Sequence, residues 1–372
     1  MLMLLDCRPL QLAGSDSEKN NLIVSTVAGL SGDTGAEWLF LVDHTYREGQ
    51  LPGLDGLLKT RTGVRLLSVR AFPGPLGWKL WYDWQIPRLI RRYDPGLVML
   101  TGGIRAKAAS VPQWLWMPAD ADPKKGGFLP FYASQLDESL RRAETVLCFS
   151  EKDRAWLGGR GAIAAGEIVV VRPMPSPSLT RLTVDEKERL KQRFTQGREY
   201  FFTEATRVGE EEIVQLLKAF SLFKKRQLSN LRLVIAGTLT GTLRSRLETY
   251  KYRQDVQWVD PSDVDVMPAA YAALFPWRDG GMGASLLNAW KAGVPALVAD
   301  NSRLYEMAGD AVLAAGISDP AALAGHMMSV YKDEGLRNAL VEKGAHRLTA
   351  FDPPPALAAL RMLLTAHNQI IK

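Results

Sequence analysis

The feature that most narrows the fold is a rhythm of short apolar runs of β type, recurring with helical segments between them. In the first half of the chain these runs lie at residues 1–5, 38–42, 97–101, 113–117, 145–149 and 168–171. Strands separated by helices pair in parallel, so the rhythm predicts βαβ units. Residues 172–178, Arg-Pro-Met-Pro-Ser-Pro-Ser, then place three prolines in a segment that suits neither a helix nor a central strand. Beyond it the rhythm restarts at residues 200–203, 231–236, 256–259, 272–275, 295–298 and 311–315.

A chain of 372 residues exceeds what one hydrophobic core usually supports, so two domains are expected. The boundaries read as a first domain at 1–172, a linker at 173–182, a second domain at 183–350 and a C-terminal helix at 351–372. With 47% apolar and 23% charged residues, the chain has the balance of a soluble globular protein and not of a disordered one. Lys and Arg exceed Asp and Glu by 46 to 40, but they are dispersed and no binding motif accompanies them, which argues against a nucleic-acid face.

Cys7 and Cys148 sit in apolar, strand-like runs without a CxxC pattern, so both read as core thiols and neither as a metal ligand. No apolar run approaches the roughly 20 residues that span a bilayer, and residues 1–5 are too short for a signal-peptide core. The expectation is a cytoplasmic protein with at most peripheral membrane association.

Locally, Thr183 is placed to cap a surface helix over 183–194. Ile213, Leu216, Leu217 and Phe220 form one buried stripe of a helix over 210–226, whose acidic start suits the helix and opposes phosphate. Residues 274–298 read as strand, glycine turn, helix and strand. Gly280, Gly281 and Gly283 let backbone approach a ligand, and a helix starting near Ala284 would aim its N–H groups at that place. An anion site and a ligand-free strand-to-helix turn both fit this pattern.

Several segments in collinear order resemble the GT-B glycosyltransferases, specifically the large retaining, nucleotide-sugar-dependent group like families 4 and 1. They are residues 80–93, Val111-Pro-Gln-Trp-Leu-Trp-Met117, residues 143–151, residues 216–225 leading into Leu231-Arg-Leu-Val-Ile-Ala-Gly237, and the glycine segment. The resemblance implies an α/β fold of two Rossmann-like domains facing across a cleft, with the C-terminal helix packing back across the domains. It also implies a nucleotide-sugar donor such as a UDP- or GDP-sugar, a glycan or glycoconjugate acceptor, and no cofactor or metal.

The motif residues of that family are not retained. Thr206 and Glu211 stand where it places an Arg and a Lys on the donor diphosphate, and Arg207, one position along, is the available substitute. Gly280 and Asn288 stand where it places two glutamates; Asn288 can still bond a ribose, and Asp279 is the substitute for the first. Pro118 and Ala119 replace a His and an acid, with Asp120 and Asp122 just beyond. Asp120-Ala-Asp122 and Asp263-Val-Asp265 read as loop acids. The acceptor-side loop follows either a first strand at 1–5 or one at 22–27.

Two functions follow from this pattern. One is a divergent glycosyltransferase holding its donor with Arg207, Asp279, the Gly280, Gly281 and Gly283 backbone, and Asn288, with no catalytic residue assigned. The other is a pseudoenzyme, a non-catalytic GT-B scaffold binding a protein partner or another ligand in the interdomain cleft. The group Trp78, Trp81, Tyr82 and Trp84 reads as core packing, or, where exposed, as a contact surface.

Overall fold

The computed structural model describes residues 1–11, 17–31, 36–107, 111–117, 130–159, 168–176, 179–205, 208–260, 264–278, 281–316, 318–351 and 355–370. Two compact units form, one from Met1–Arg172 with Pro354–Lys372 and the other from Pro173–Pro353.

The first unit runs β1 (Leu2–Asp6), α1 (Ser17–Ser31), β2 (Glu37–Asp43), α2 (Pro52–Thr60), β3 (Val64–Val69) and α3 (Gly74–Leu80). A π-helical turn, Trp81–Gln85, joins α3 to α4 (Ile86–Tyr93). There follow β4 (Leu97–Leu100), β5 (Gln113–Trp116), α5 (Pro130–Arg142), β6 (Thr145–Cys148), α6 (Glu151–Gly159) and β7 (Ile168–Val170). The strands pair in parallel in the order β3-β2-β1-β4-β5-β6-β7.

Every residue of β4, β5 and β6 is buried, as expected of strands covered on both faces. The edge strand β3, Val-Arg-Leu-Leu-Ser-Val, is largely exposed, so it lacks the continuous apolar run that marks the other strands in the sequence. Residues 22–27 lie inside α1, which leaves β1 as the first strand of this sheet. Cys7 and Cys148 are buried, unbridged core thiols.

The second unit runs α7 (Val184–Thr195), β8 (Tyr200–Glu204), α8 (Glu210–Gln227), β9 (Arg232–Ala236), α9 (Gly241–Glu248), β10 (Val256–Val259) and β11 (Ala272–Phe275). It continues with α10 (Ala284–Lys291), β12 (Ala296–Ala299), α11 (Arg303–Ala308), β13 (Leu313–Ala315), α12 (Pro320–Lys332) and α13 (Glu334–Leu348). Its parallel order is β10-β9-β8-β11-β12-β13. Thr183 caps α7 in a capping box with Glu186, and Ile213, Leu216, Leu217 and Phe220 bury one stripe of α8.

The last helix, α14 (Pro355–Ile370), returns to the first unit, where Arg361 donates to the Gly29 carbonyl at 3.1 Å. No helix among the described residues is long and apolar enough to cross a membrane.

Candidate functional site

In each sheet the chain starts at a central strand, winds outward on one side, then returns and winds outward on the other. Ligands of open α/β sheets bind at the carboxyl ends of the two strands where the order reverses. Those strands are β1 and β4 in the first unit and β8 and β11 in the second.

At the second of these points β8 ends on Glu204. The Ser285 hydroxyl, in the first turn of α10, donates to Glu204 Oε2 at 2.6 Å, and the Trp277 indole N–H donates to the Glu204 carbonyl at 2.9 Å. Thr203, one residue earlier, donates to the Leu274 carbonyl at 2.6 Å. β11 and the segment after it are therefore tied to the end of β8 by three contacts of different kinds.

Glu212 adds a fourth tie. One of its oxygens accepts the Arg278 N–H at 3.0 Å and the other the Gly209 N–H at 3.2 Å. Because the Glu212 side chain reaches back from the first turn of α8 to the N–H of the N-cap residue Gly209, a carboxylate of the chain already sits where an anion at that helix end would bind.

Helix α10 is built differently. Its N-cap is Gly283, at φ +102°, and no acid stands in its first turn. That backbone angle favours glycine whatever the space, and a Cβ there would also meet the end of the Met307 side chain, 2.6 Å from its Sδ. Gly281 also has positive φ, +69°. The turn thus brings bare backbone up to the positive end of a helix dipole, as its glycines suggest.

Asn288, one turn further along α10, has its amide oxygen on the Ser176 N–H at 2.8 Å, while Lys291 Nζ donates to the Ser176 carbonyl at 2.7 Å. The side chain expected at a ribose grips the proline segment of its own unit. Glu211 is exposed in the first turn of α8. Thr206, Arg207, Asp279 and Gly280 lie outside the described residues, as do Pro118, Ala119, Asp120, Asp122 and Asp263.

Glu204, Ser285, Glu212 and Trp277 were not singled out from sequence. The available signal was a polar pair, Thr203-Glu204, closing the apolar run Tyr200-Phe-Phe, since a polar strand end at a switch point faces the crevice.

The corresponding point of the first sheet is occupied by side chains. Asp6 is fully buried at the end of β1, its Oδ1 accepting from the Arg8 N–H and the Trp81 indole, each at 3.2 Å. Burial raises its carboxyl to about 7, against the opposing pull of those hydrogen bonds and the Arg8 charge. The Thr101 hydroxyl, just past β4, donates to the Asp6 carbonyl at 2.7 Å.

The Arg8 guanidinium lies 3.8 Å over Trp78 and 4.8 Å over Trp81, donates to the Phe72 and Gly77 carbonyls, and pairs with Asp43 at 3.5 Å. His44 Nδ1 meets the other Asp43 oxygen at 2.5 Å. Trp78, Trp81 and Tyr82 are core residues, whereas Trp84 is exposed.

The same two-unit architecture occurs in a glycosyltransferase from Rickettsia africae, with a TM-score of 0.72 over 100% of this chain and 98% of that one at 13% identity. HepE from Anabaena, in complex with UDP and glucose, superposes at 0.73 over 98% and 100% at 12% identity. The lipopolysaccharide-biosynthesis glycosyltransferase WaaG superposes at 0.68 over 98% and 100% at 11% identity. This is the GT-B glycosyltransferase fold.

Within the GT-B frame, residues 184–347, from α7 into α13, match the family model described as Glycosyl transferases group 1. The match covers most of the second unit, including the glycine turn and α10. No curated protein matches the sequence.

Proposed function

We propose that the protein transfers a sugar from a nucleotide-sugar donor to a glycan or glycoconjugate acceptor, and that the second unit binds the donor. The observation that carries this reading is the turn through Gly281 and Gly283, which delivers backbone and the α10 N-terminus to the β8–β11 switch point. The family match over the same unit supports it, and the UDP and UDP-glucose complexes of HepE supply the donor class. Arg207, Asp279 and Gly280 complete the proposed donor site, together with Asn288 as a hydrogen-bond donor through its amide nitrogen.

A second reading rests on the carboxylates. Glu204 and Glu212 both lie at the β8 side of this point, and a carboxylate about 4 Å from a phosphate opposes it by about 1 to 4 kcal/mol. Losing one preorganised charge contact costs on the order of a hundredfold or more in rate. A non-catalytic scaffold that binds another ligand or a protein partner is consistent with that arrangement.

A thermal-shift series with UDP, GDP, ADP, CDP and their sugar conjugates separates the two. Donor binding predicts stabilisation by one nucleotide, about 2.7 kcal/mol at 100 times its Kd, that Arg207→Ala or Asn288→Ala abolishes. Failure of every nucleotide at saturating concentration would leave the scaffold reading.

A further inference from the structure

The helical run from Gly74 to Tyr93 is apolar on two sides. Its inner side, with Trp78, Trp81, Tyr82, Ile86, Leu89 and Ile90, is buried in the core of the first unit. Its outer side presents Leu76, Leu80 and Trp84 at successive steps of four residues, 68%, 38% and 51% exposed. Phe72, one further step back, is 53% exposed. Among the described residues, four of the nine exposed large hydrophobics fall within these thirteen positions. Single exposed apolar side chains are ordinary, but a stripe of this kind marks a contact surface. A helix apolar on both sides belongs in a core or against a hydrophobic phase.

The charge around the stripe selects its occupant. The helical run itself, residues 74–93, contains four Lys and Arg against one Asp, a net +3. Asp83 is held between Lys79 of the same helical run at 2.6 Å and Lys107, past β4, at 3.1 Å, so the negative charge nearest the stripe is offset. Arg88, Arg91 and Arg92 are exposed on α4, and the Arg88 guanidinium lies 5.4 Å over the Trp84 ring. An aromatic ring with a cation on its face suits the boundary between headgroups and acyl chains.

We propose that this face seats the first unit on an anionic lipid surface. The stripe enters the headgroup boundary while the α4 arginines meet lipid phosphates, their stems following the apolar surface. A second copy of the chain would bring the same positive charge against itself, and nucleic acid offers Leu76 and Leu80 no apolar phase to enter. The surface is independent of the donor site, so it stands whether or not the protein transfers a sugar.

The test is flotation of the full chain with vesicles of equimolar phosphatidylcholine and phosphatidylglycerol, against vesicles of phosphatidylcholine alone. Binding to the anionic vesicles that weakens as salt is raised is the expected result. Replacing Leu76, Leu80 and Trp84 together by Ser lowers partitioning by at least about tenfold. Replacing Arg88, Arg91 and Arg92 together by Gln lowers it by roughly a hundredfold, at about fivefold per arginine.

Tryptophan quenching by brominated lipid in the unaltered protein, lost in Trp84→Phe, reads Trp84 insertion among the ten tryptophans. Absence of flotation or of quenching, equal binding to both vesicle types, or insensitivity to both triple variants overturns the proposal. So does a dimer in sedimentation velocity that the Ser variant dissolves.

Discussion

Ser285 spends its hydroxyl proton on Glu204 at 2.6 Å, which joins the first turn of α10 to the carboxyl end of β8. The contact fixes a negative charge at the point where the donor phosphates are proposed to bind. Glu204→Gln keeps an acceptor for Ser285 and removes the charge. Nucleoside diphosphate binding should tighten by about 1 to 4 kcal/mol, as read by calorimetry. Unchanged or weaker binding would mean that phosphate does not approach this carboxylate.

Asp6 makes stability depend on pH in an identifiable direction. Folded Asp6 titrates at about 7, against 3.8 for an unperturbed carboxyl, so between these values the native state holds a proton that the unfolded state has released. Stability therefore falls as pH rises through that window, and the full penalty is present above it. A shift of this size corresponds to roughly 4 kcal/mol at most. In Asp6→Asn the decline should be absent, so the difference in urea midpoint between the two proteins should grow from acid to neutral pH. A constant difference would rule out Asp6 as the source.

Close approach at Gly344 sets where α10 sits. A Cβ there would stand 2.4 Å from Trp290 Cδ1, and Trp290 is buried. Glycine to alanine inside a helix ordinarily stabilises by up to about 1 kcal/mol, but overpacking costs about 1 to 3 kcal/mol. Gly344→Ala should therefore destabilise. Gly325→Ala in α12, where a Cβ meets nothing within 4 Å, should stabilise. Denaturant midpoints that move in the same direction for both would refute the packing account.

Asn288 and Lys291 hold both backbone groups of Ser176. A hydrogen bond contributes about 0.5 to 1.5 kcal/mol, and one from a charged group about 1.5 to 3. Replacing Asn288 by Ala and Lys291 by Met should speed exchange of the Ser176 amide and hasten proteolysis within 173–182. Exchange at the wild-type rate would show that the segment is held elsewhere.

The glycine turn was legible because Gly281 and Gly283 are required by backbone angle, a local property that residue type reports directly. Glu204 was not legible as a partner of Ser285, because 81 residues separate them and no local pattern encodes the meeting. Asn288 combines the two cases. Its place on the first helix after the glycine turn was readable, but the bond its amide oxygen accepts from the Ser176 N–H was not, because 112 residues separate the two. Trp78, Trp81, Tyr82 and Trp84 looked alike in sequence. The turns of the helix decided that three pack inward and one faces out.

What the sequence determined by itself is the alternation of buried strands and helices, the break at the prolines, and the helix caps such as Thr183 with Glu186. Each depends on interactions within a few residues, or on burial that demands an apolar run. Only tertiary structure decided which strand ends meet at the two switch points, and which side chains meet there. It also raised the Asp6 carboxyl and stacked Arg8 on two tryptophans. Those outcomes depend on distance and local dielectric between groups far apart in the chain, which composition and spacing do not carry.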